Sequence, residues 1–221
     1  MGSQRLILVD GSGYIFRAFY ALPPMSREDG TPVNAVFGFT SMLLKLSEDM
    51  EGENILVVFD AARTTFRNEI YKEYKANRSE PPEELVPQFD LIKKATTAIG
   101  LKSLEVENYE ADDIIATYVK IAKKENIETL VISSDKDLMQ LIQDGVSLYD
   151  PMKNIKIGPE AVLEKFGVSP DKVIDVQALA GDSSDNVPGV PGIGVKTASQ
   201  LINEYGSLEK LLDNASSIKQ E

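Results

Sequence analysis

Three short apolar runs mark the chain, each without polar alternation and each leading to an acid. Leu6-Ile7-Leu8-Val9 runs into Asp10-Gly11-Ser12-Gly13. Ile55-Leu56-Val57-Val58-Phe59 is closed by Asp60, and Leu130-Val131-Ile132 leads through Ser133-Ser134 to Asp135 and Asp137. Runs this short, rich in branched side chains and lacking a polar face, predict strands buried on both sides. The expected class is therefore α/β, with a mostly parallel central sheet flanked by helices. A helical period follows Glu110-Ala111-Asp112-Asp113, where Ile114, Ile115, Tyr118, Ile121 and Ala122 are expected to share the buried face. In parallel sheets the ligand crevice lies beyond the carboxyl ends of the strands. Three strands thus bring acids to one edge.

Two other segments interrupt this pattern. Between Arg63 and Arg78 the cations Arg63, Arg67, Lys72, Lys75 and Arg78 alternate with Phe66, Tyr71 and Tyr74. Cations that track phosphates and rings that stack on bases suit a single nucleic-acid strand. An ordinary amphipathic helix burying Phe66, Ile70, Tyr71 and Tyr74 fits the same residues. Ser79-Glu80-Pro81-Pro82-Glu83-Glu84 breaks the helix, and a second is expected from about Pro87 to Ala98. Together they predict a helical segment, about 63–98, protruding between two strands. Near the end, Gly189-Val190-Pro191-Gly192-Ile193-Gly194 precedes Lys196-Thr197-Ala198. With helices expected over 170–180 and 197–205, this reads as a helix-hairpin-helix whose glycines and free amides hold a phosphate backbone without reading sequence.

The acids decide the chemistry. Asp10, Asp60, Glu110, Asp112, Asp113, Asp135, Asp137, Asp182 and Asp185 form four groups. Any one of them has an ordinary explanation as an N-cap, turn former or first-turn helix acid. All of them on one sheet edge would repel unless a cation held them, which points to a divalent-metal site. The chain has no Cys and no His, which excludes thiolate or imidazole zinc sites, Ser-His-Asp catalysis and a His general base. Any hydrolysis here must use carboxylates and metal-bound water.

The net charge of −12 argues against a nucleic-acid partner until the nine acids are set aside. That leaves 26 acids against 23 Lys plus Arg, nearly balanced. No apolar run approaches membrane-spanning length, so a cytoplasmic monomer away from membranes is the expected state.

At the level of motifs the chain resembles the 5′ nuclease domain of bacterial DNA polymerase I, in the flap endonuclease superfamily. The matching strings are Leu8-Val9-Asp10-Gly11, Val58-Phe59-Asp60, Tyr74-Lys75-Ala76-Asn77-Arg78, Glu110-Ala111-Asp112-Asp113, Asp135-Lys136-Asp137 and Gly181-Asp182-Ser183-Ser184-Asp185-Asn186-Val187-Pro188-Gly189. The resemblance implies a PIN-like sheet over about 1–168, with an arch at about 63–98. It also implies a helix-hairpin-helix DNA-binding lobe over 169–221, expected to be incomplete because the chain turns polar after Leu212. The implied activity is structure-specific 5′-3′ exonuclease and flap endonuclease hydrolysis of DNA in replication and repair, with a polymerase domain attached in the full gene. Two Mg²⁺ or Mn²⁺ ions about 4 Å apart would clamp the scissile phosphate. Asp10, Asp60, Glu110, Asp112 and Asp113 would serve one ion, and Asp135, Asp137, Asp182 and Asp185 the other. Lys75 and Arg78 would neutralise charge developing on the phosphate. Tyr74 or Tyr20 would stack on the terminal base, Arg67, Gly192, Gly194, Lys196 and Thr197 would contact DNA, and the hairpin would hold K⁺. A phosphatase on a similar fold needs neither the glycine turn nor the basic segment. A non-catalytic DNA-binding module gains nothing from acids that repel phosphate.

Overall fold

The apolar runs form strands where their pattern places them. The structure, a computed structural model, describes residues 5–51, 53–151 and 153–217. Lys219, Gln220 and Glu221 of the expected polar tail lie outside the described residues. In chain order the elements are β1 (Leu6–Asp10), α1 (Gly11–Ala21), α2 (Asn34–Asp49), β2 (Asn54–Val58), α3 (Phe66–Ile70), α4 (Gln88–Ala98), β3 (Lys102–Leu104) and α5 (Ala111–Lys124). They continue with β4 (Thr129–Ile132), β5 (Val146–Asp150), β6 (Ile155–Ile157), α6 (Pro159–Phe166), α7 (Val173–Ala180), α8 (Val195–Tyr205) and α9 (Leu208–Asp213). The sheet order is β3-β2-β1-β4-β5-β6, with β6 alone antiparallel.

Both faces of the sheet are covered, as unalternated strands require. Leu8, Val58, Val131 and Leu148 join one core with residues of α5 to α9. Ile7, Val9, Val57, Leu130 and Ile132 join another with α1, α2 and α4. Successive strand residues point to opposite faces, so each run feeds both cores. The segment 169–221 shares the first core through Val176, Ile202 and Leu211.

Three expectations need correction. On α5 the buried stripe is Ala111, Ile114, Ile115, Val119 and Ala122, while Ile121 is 50% exposed. Ile121 stands roughly 100° from the centre of that stripe, at its edge beside Ile114, where the last turns of the helix leave it to solvent. The amphipathic helix over 63–78 does not form: α3 has five residues, and Ile70 is 79% exposed. The protruding unit does not extend over 63–98 either, because α4 packs into the core, with Ile92 and Gln88 fully buried.

Gln88 explains why α4 sits there. The α2 N-cap, Val33, offers no side-chain acceptor. Gln88 Oε1 instead accepts from the Ala35 and Val36 amides at 2.8 and 3.1 Å, and its Nε2 donates to Asn34 Oδ1 and the Glu84 carbonyl, both at 2.9 Å. Gln88→Met is expected to leave buried donors unpaired and cost about 1–3 kcal/mol, read as a lowered urea midpoint. An unchanged midpoint would show that the α2 terminus finds other partners.

Candidate active site

Each acid reaches the carboxyl edge of the sheet by an identifiable local device. Asp10 ends β1 and caps α1, its Oδ1 accepting from the Gly13 amide at 3.2 Å. The ordinary N-cap reading is therefore true, but it uses one oxygen. Oδ2 turns toward β4 and accepts from the Ser133 hydroxyl at 2.8 Å. Asp60 lies two residues past β2, and its Oδ1 accepts from the Ala111 amide at 2.7 Å, tying the start of α5 to the sheet edge. Asp135 follows β4, with its N–H donating to Ser133 Oγ at 3.0 Å. Its Oδ1 accepts from the Asp137 amide at 2.8 Å. Ser133, 2% exposed, thus joins the β1 and β4 acids.

Asp182 and Asp185 come from a tight turn after α7, closed by reciprocal Asp182–Val187 backbone bonds of 2.9 and 2.8 Å. Two glycines allow that turn to lie flat against the helix end. Gly181 has φ 73°, and a Cβ on Gly189 would stand 2.3 Å from the Ala180 carbonyl carbon. Gly189 is therefore a packing glycine. Gly192 (φ 83°) and Gly194 have open space where a Cβ would be, at an exposed surface with Lys196 and Thr197.

The charges sort into three neighbourhoods. Asp10, Asp60, Asp112 and Asp135 form the first. Burial, and then the charges of Asp60 and Asp135, push Asp10 up to about 6, against the pull of its Ser133 and Gly13 bonds. Burial also raises Asp112 well above the carboxylate range, followed by the charges of Asp10 and Asp135. Asp137 and Asp182 form the second. Asp137 is raised by burial and Asp135, while its Oδ1 accepts from Gln177 Nε2 at 2.6 Å. Burial opposes the Asp182 anion, yet the Lys136 ammonium at 2.6 Å and the Ser184 amide hold it below the usual range. Glu110 and Asp185 form the third, sharing Lys75 at 2.8 and 3.7 Å. Arg78 reaches Asp185 Oδ1 at 2.5 Å.

This differs from the division into five and four acids. Asp135 sits with Asp10, Glu110 pairs with Asp185, and Asp113 faces away toward a guanidinium. Among the described residues, no three acids already close around one point as a coordination shell does. Without a cation their repulsion is offset by Lys75, Arg67, Arg78 and Lys136. The donor set still suits one class of ion: many carboxylate oxygens and no softer ligand favour a hard divalent cation such as Mg²⁺ or Mn²⁺. Asp10 and Asp112 are raised first by burial and then by neighbouring carboxylates, an environment in which a bound cation would favour their charged forms.

Two residues expected at DNA are engaged internally. Tyr74 is 9% exposed, and its hydroxyl donates toward Glu110 Oε2 and Asp185 Oδ2 at 3.1 and 3.0 Å. Its ring has no open face for a terminal base, with Lys75 Nζ 5.0 Å from its centroid. Arg67 is bidentate to Asp113, both bonds 2.7 Å, and its guanidinium lies 4.7 Å over Phe66. Burial opposes the Asp113 anion, yet the Arg67 bond, the Glu110 backbone amide and the charges of Arg67 and Lys75 hold it below the usual range. Tyr20, 71% exposed, remains open. Sequence reasoning missed Ser133, Lys136 and Gln177 as partners of the acids. Lys136 had a signal, standing between Asp135 and Asp137. Gln177 had none, because α7 meets the acidic edge only in the folded chain.

Comparison with known proteins follows the same lines. A family model for the 5′-3′ exonuclease N-terminal resolvase-like domain matches residues 5–167, and one for the 5′-3′ exonuclease C-terminal SAM fold matches 168–221. DNA polymerase I of Rhizobium leguminosarum is 55% identical over 225 residues, covering 98% of this chain but 22% of that protein. The chain thus spans under a quarter of that relative's length. The zinc-bound 5′-exonuclease of bacteriophage T5 superposes with TM-score 0.82 at 25% identity, covering 99% of this chain and 82% of that one. A bacteriophage T5 flap endonuclease complexed with DNA and metal ions gives TM-score 0.80 at 26% identity, covering 99% and 81%. The PIN-like sheet with added helices is the fold these matches share with the chain.

Proposed function

The chain belongs to the 5′-3′ exonuclease family, and from that premise we propose that it hydrolyses DNA phosphodiester bonds at 5′ ends and flaps with two divalent cations, Mg²⁺ or Mn²⁺. The carrying observation is that acids from β1, β2, α5, the β4 edge and the turn after α7 meet in one charged cluster beside Lys75 and Arg78. A bound pair of cations would clamp the phosphate and supply hydroxide for in-line displacement. In this reading Asp10, Asp60, Asp112 and Asp135 would hold one, and Asp137, Asp182, Glu110 and Asp185 would serve the other. Ser133, Gln177 and the Ala111 amide orient these carboxylates. Lys75 and Arg78 stand where negative charge on a phosphate entering the cluster would need neutralising.

Grip belongs to another surface. The exposed Gly192, Gly194, Lys196 and Thr197 offer free amides and a cation at the start of α8, suited to a duplex backbone, and a K⁺ ion at this hairpin belongs to the same reading. Tyr20 is the remaining candidate for stacking on a terminal base. A covalently attached polymerase domain and a role in replication and repair also belong to this reading, supported by the relatives' names and lengths. Among the described residues, no helix is long and apolar enough to cross a membrane.

The test is cleavage of a labelled 5′-flap DNA with Mn²⁺ beside a small phosphomonoester. Release of the flap strand alone supports the reading, and turnover of the monoester alone would replace it with a phosphatase. Lys196→Ala is expected to weaken binding about equally for all sequences and to reduce the salt slope by roughly one phosphate contact. Fluorescence anisotropy over a KCl series measures this. An unaltered slope would remove Lys196 from the backbone contacts.

A further inference from the structure

Lys75 occupies a backbone position that lysine seldom adopts, with φ 55° in the left-handed region. Such strain persists only where the surroundings over-determine it. Here the two peptide units that precede it are held from outside the turn. The Lys75 amide donates to the Asp185 carbonyl at 2.9 Å. The Glu73 carbonyl accepts from Asn186 Nδ2 at 2.7 Å, and the Tyr74 carbonyl accepts from Asn68 Nδ2 at 3.0 Å. Asn186 lies on the acidic turn after α7 and is itself left-handed, with φ 56°. Asn68 lies on α3 and is anchored by its Oδ1, which accepts from the Thr65 amide at 3.0 Å. Two asparagine amides from different parts of the fold therefore grip the two carbonyls immediately before Lys75. Its ammonium then reaches Glu110 at 2.8 Å.

We propose that Asn186 and Asn68 are positioning residues for Lys75: they clamp its backbone so that the ammonium points into the acidic cluster. The carbonyls of residues 73 and 74 set the direction in which the Lys75 side chain leaves the chain. With either amide gone, the left-handed conformation relaxes and the ammonium swings toward solvent. The role of the clamp in turnover rests on the nuclease reading; the clamp itself does not.

Reductive methylation with formaldehyde and cyanoborohydride, read by peptide mass spectrometry on the full chain, tests the clamp without DNA. Lys75 is shielded and paired, so it labels slowly beside the exposed Lys196, which serves as internal reference. Asn186→Gly keeps a residue at ease with positive φ and deletes the amide; Asn68→Ala deletes the other. Each is expected to raise Lys75 labelling relative to Lys196 about fivefold, the scale of one lost net hydrogen bond. Circular dichroism checks that each variant is folded, and either folded variant decides the question. Labelling at the unaltered rate overturns the proposal. Single-turnover flap cleavage with Mn²⁺ supplies the second readout. Asn186→Gly is expected to slow cleavage about tenfold alone, but less than about twofold in a Lys75→Ala background, because the two act as one unit. Equal losses in both backgrounds would mean that Asn186 acts through its neighbour Asp185, and would also overturn the proposal. An unsubstituted chain that cuts no flap would remove the nuclease reading instead, while the labelling result still decides the clamp.

Discussion

Asp112→Asn is expected to cut flap cleavage by more than about 100-fold, since even groups one shell outside a metal cost 10- to 100-fold when replaced. The fold should survive. Asp112 opens α5, yet the α5 terminus is held by other groups: the Ala111 amide by Asp60 and the Glu110 amide by Asp113 Oδ2 at 3.1 Å. Its carboxyl is buried among Asp10, Asp60 and Asp135, and burial is the larger part of what disfavours its charge. A neutral amide of the same shape relieves that repulsion. In EDTA the variant should therefore melt at the same temperature as the unsubstituted protein or higher. With Mn²⁺ it should gain less stability than the unsubstituted protein, because fewer ligands bind the ion in the folded state. EDTA itself should abolish cleavage by the unsubstituted chain. Full activity in excess chelator, or a lowered melting point of the variant in EDTA, would contradict this account of the cluster.

Lys75→Ala should act on turnover far more than on affinity. The expected loss is about 100- to 1000-fold in kcat, the range for one preorganised charge-stabilising group, with the DNA Kd changed little. The structure adds a consequence that the motif alone does not. Lys75 is the counter-ion of Glu110, which is 6% exposed, so its removal strands a buried carboxylate beside Asp185. The metal-free variant should be less stable by about 1–3 kcal/mol, and divalent ions should restore part of that. Stopped-flow cleavage, anisotropy and thermal melts with and without Mn²⁺ separate these effects. A variant altered only in affinity would displace Lys75 from the scissile phosphate.

The acidic edge was legible because its cause is local. A strand buried on both faces must be apolar throughout, so the first acid after Val9 or Ile132 marks the point where the chain leaves the sheet. Parallel pairing then puts all such points on one side. The start of α5 was legible for the same kind of reason. Its buried face was read almost correctly; Ile121 failed because it lies at the edge of the stripe, where angle around the helix alone does not decide burial. The segment 63–98 was misread more deeply. Its cations and rings fit two local patterns, and neither decides whether Tyr74 faces a base or lies under Lys75 against Glu110.

What the sequence by itself determined is therefore the sheet, its carboxyl edge, the acids carried there and the exclusion of His and Cys chemistry. Each follows from side-chain type and short-range periodicity. Tertiary structure alone decided which acid faces which cation. Arg67 with Asp113, Lys136 with Asp182, Gln177 with Asp137 and Asn186 with the Glu73 carbonyl are pairings set by how helices and turns pack. Charges act through space rather than along the chain, so no spacing in the sequence carries that information. The same packing turned Gly189 inward against Ala180 and left Gly192 and Gly194 facing solvent, dividing one glycine-rich string into a structural half and a surface half.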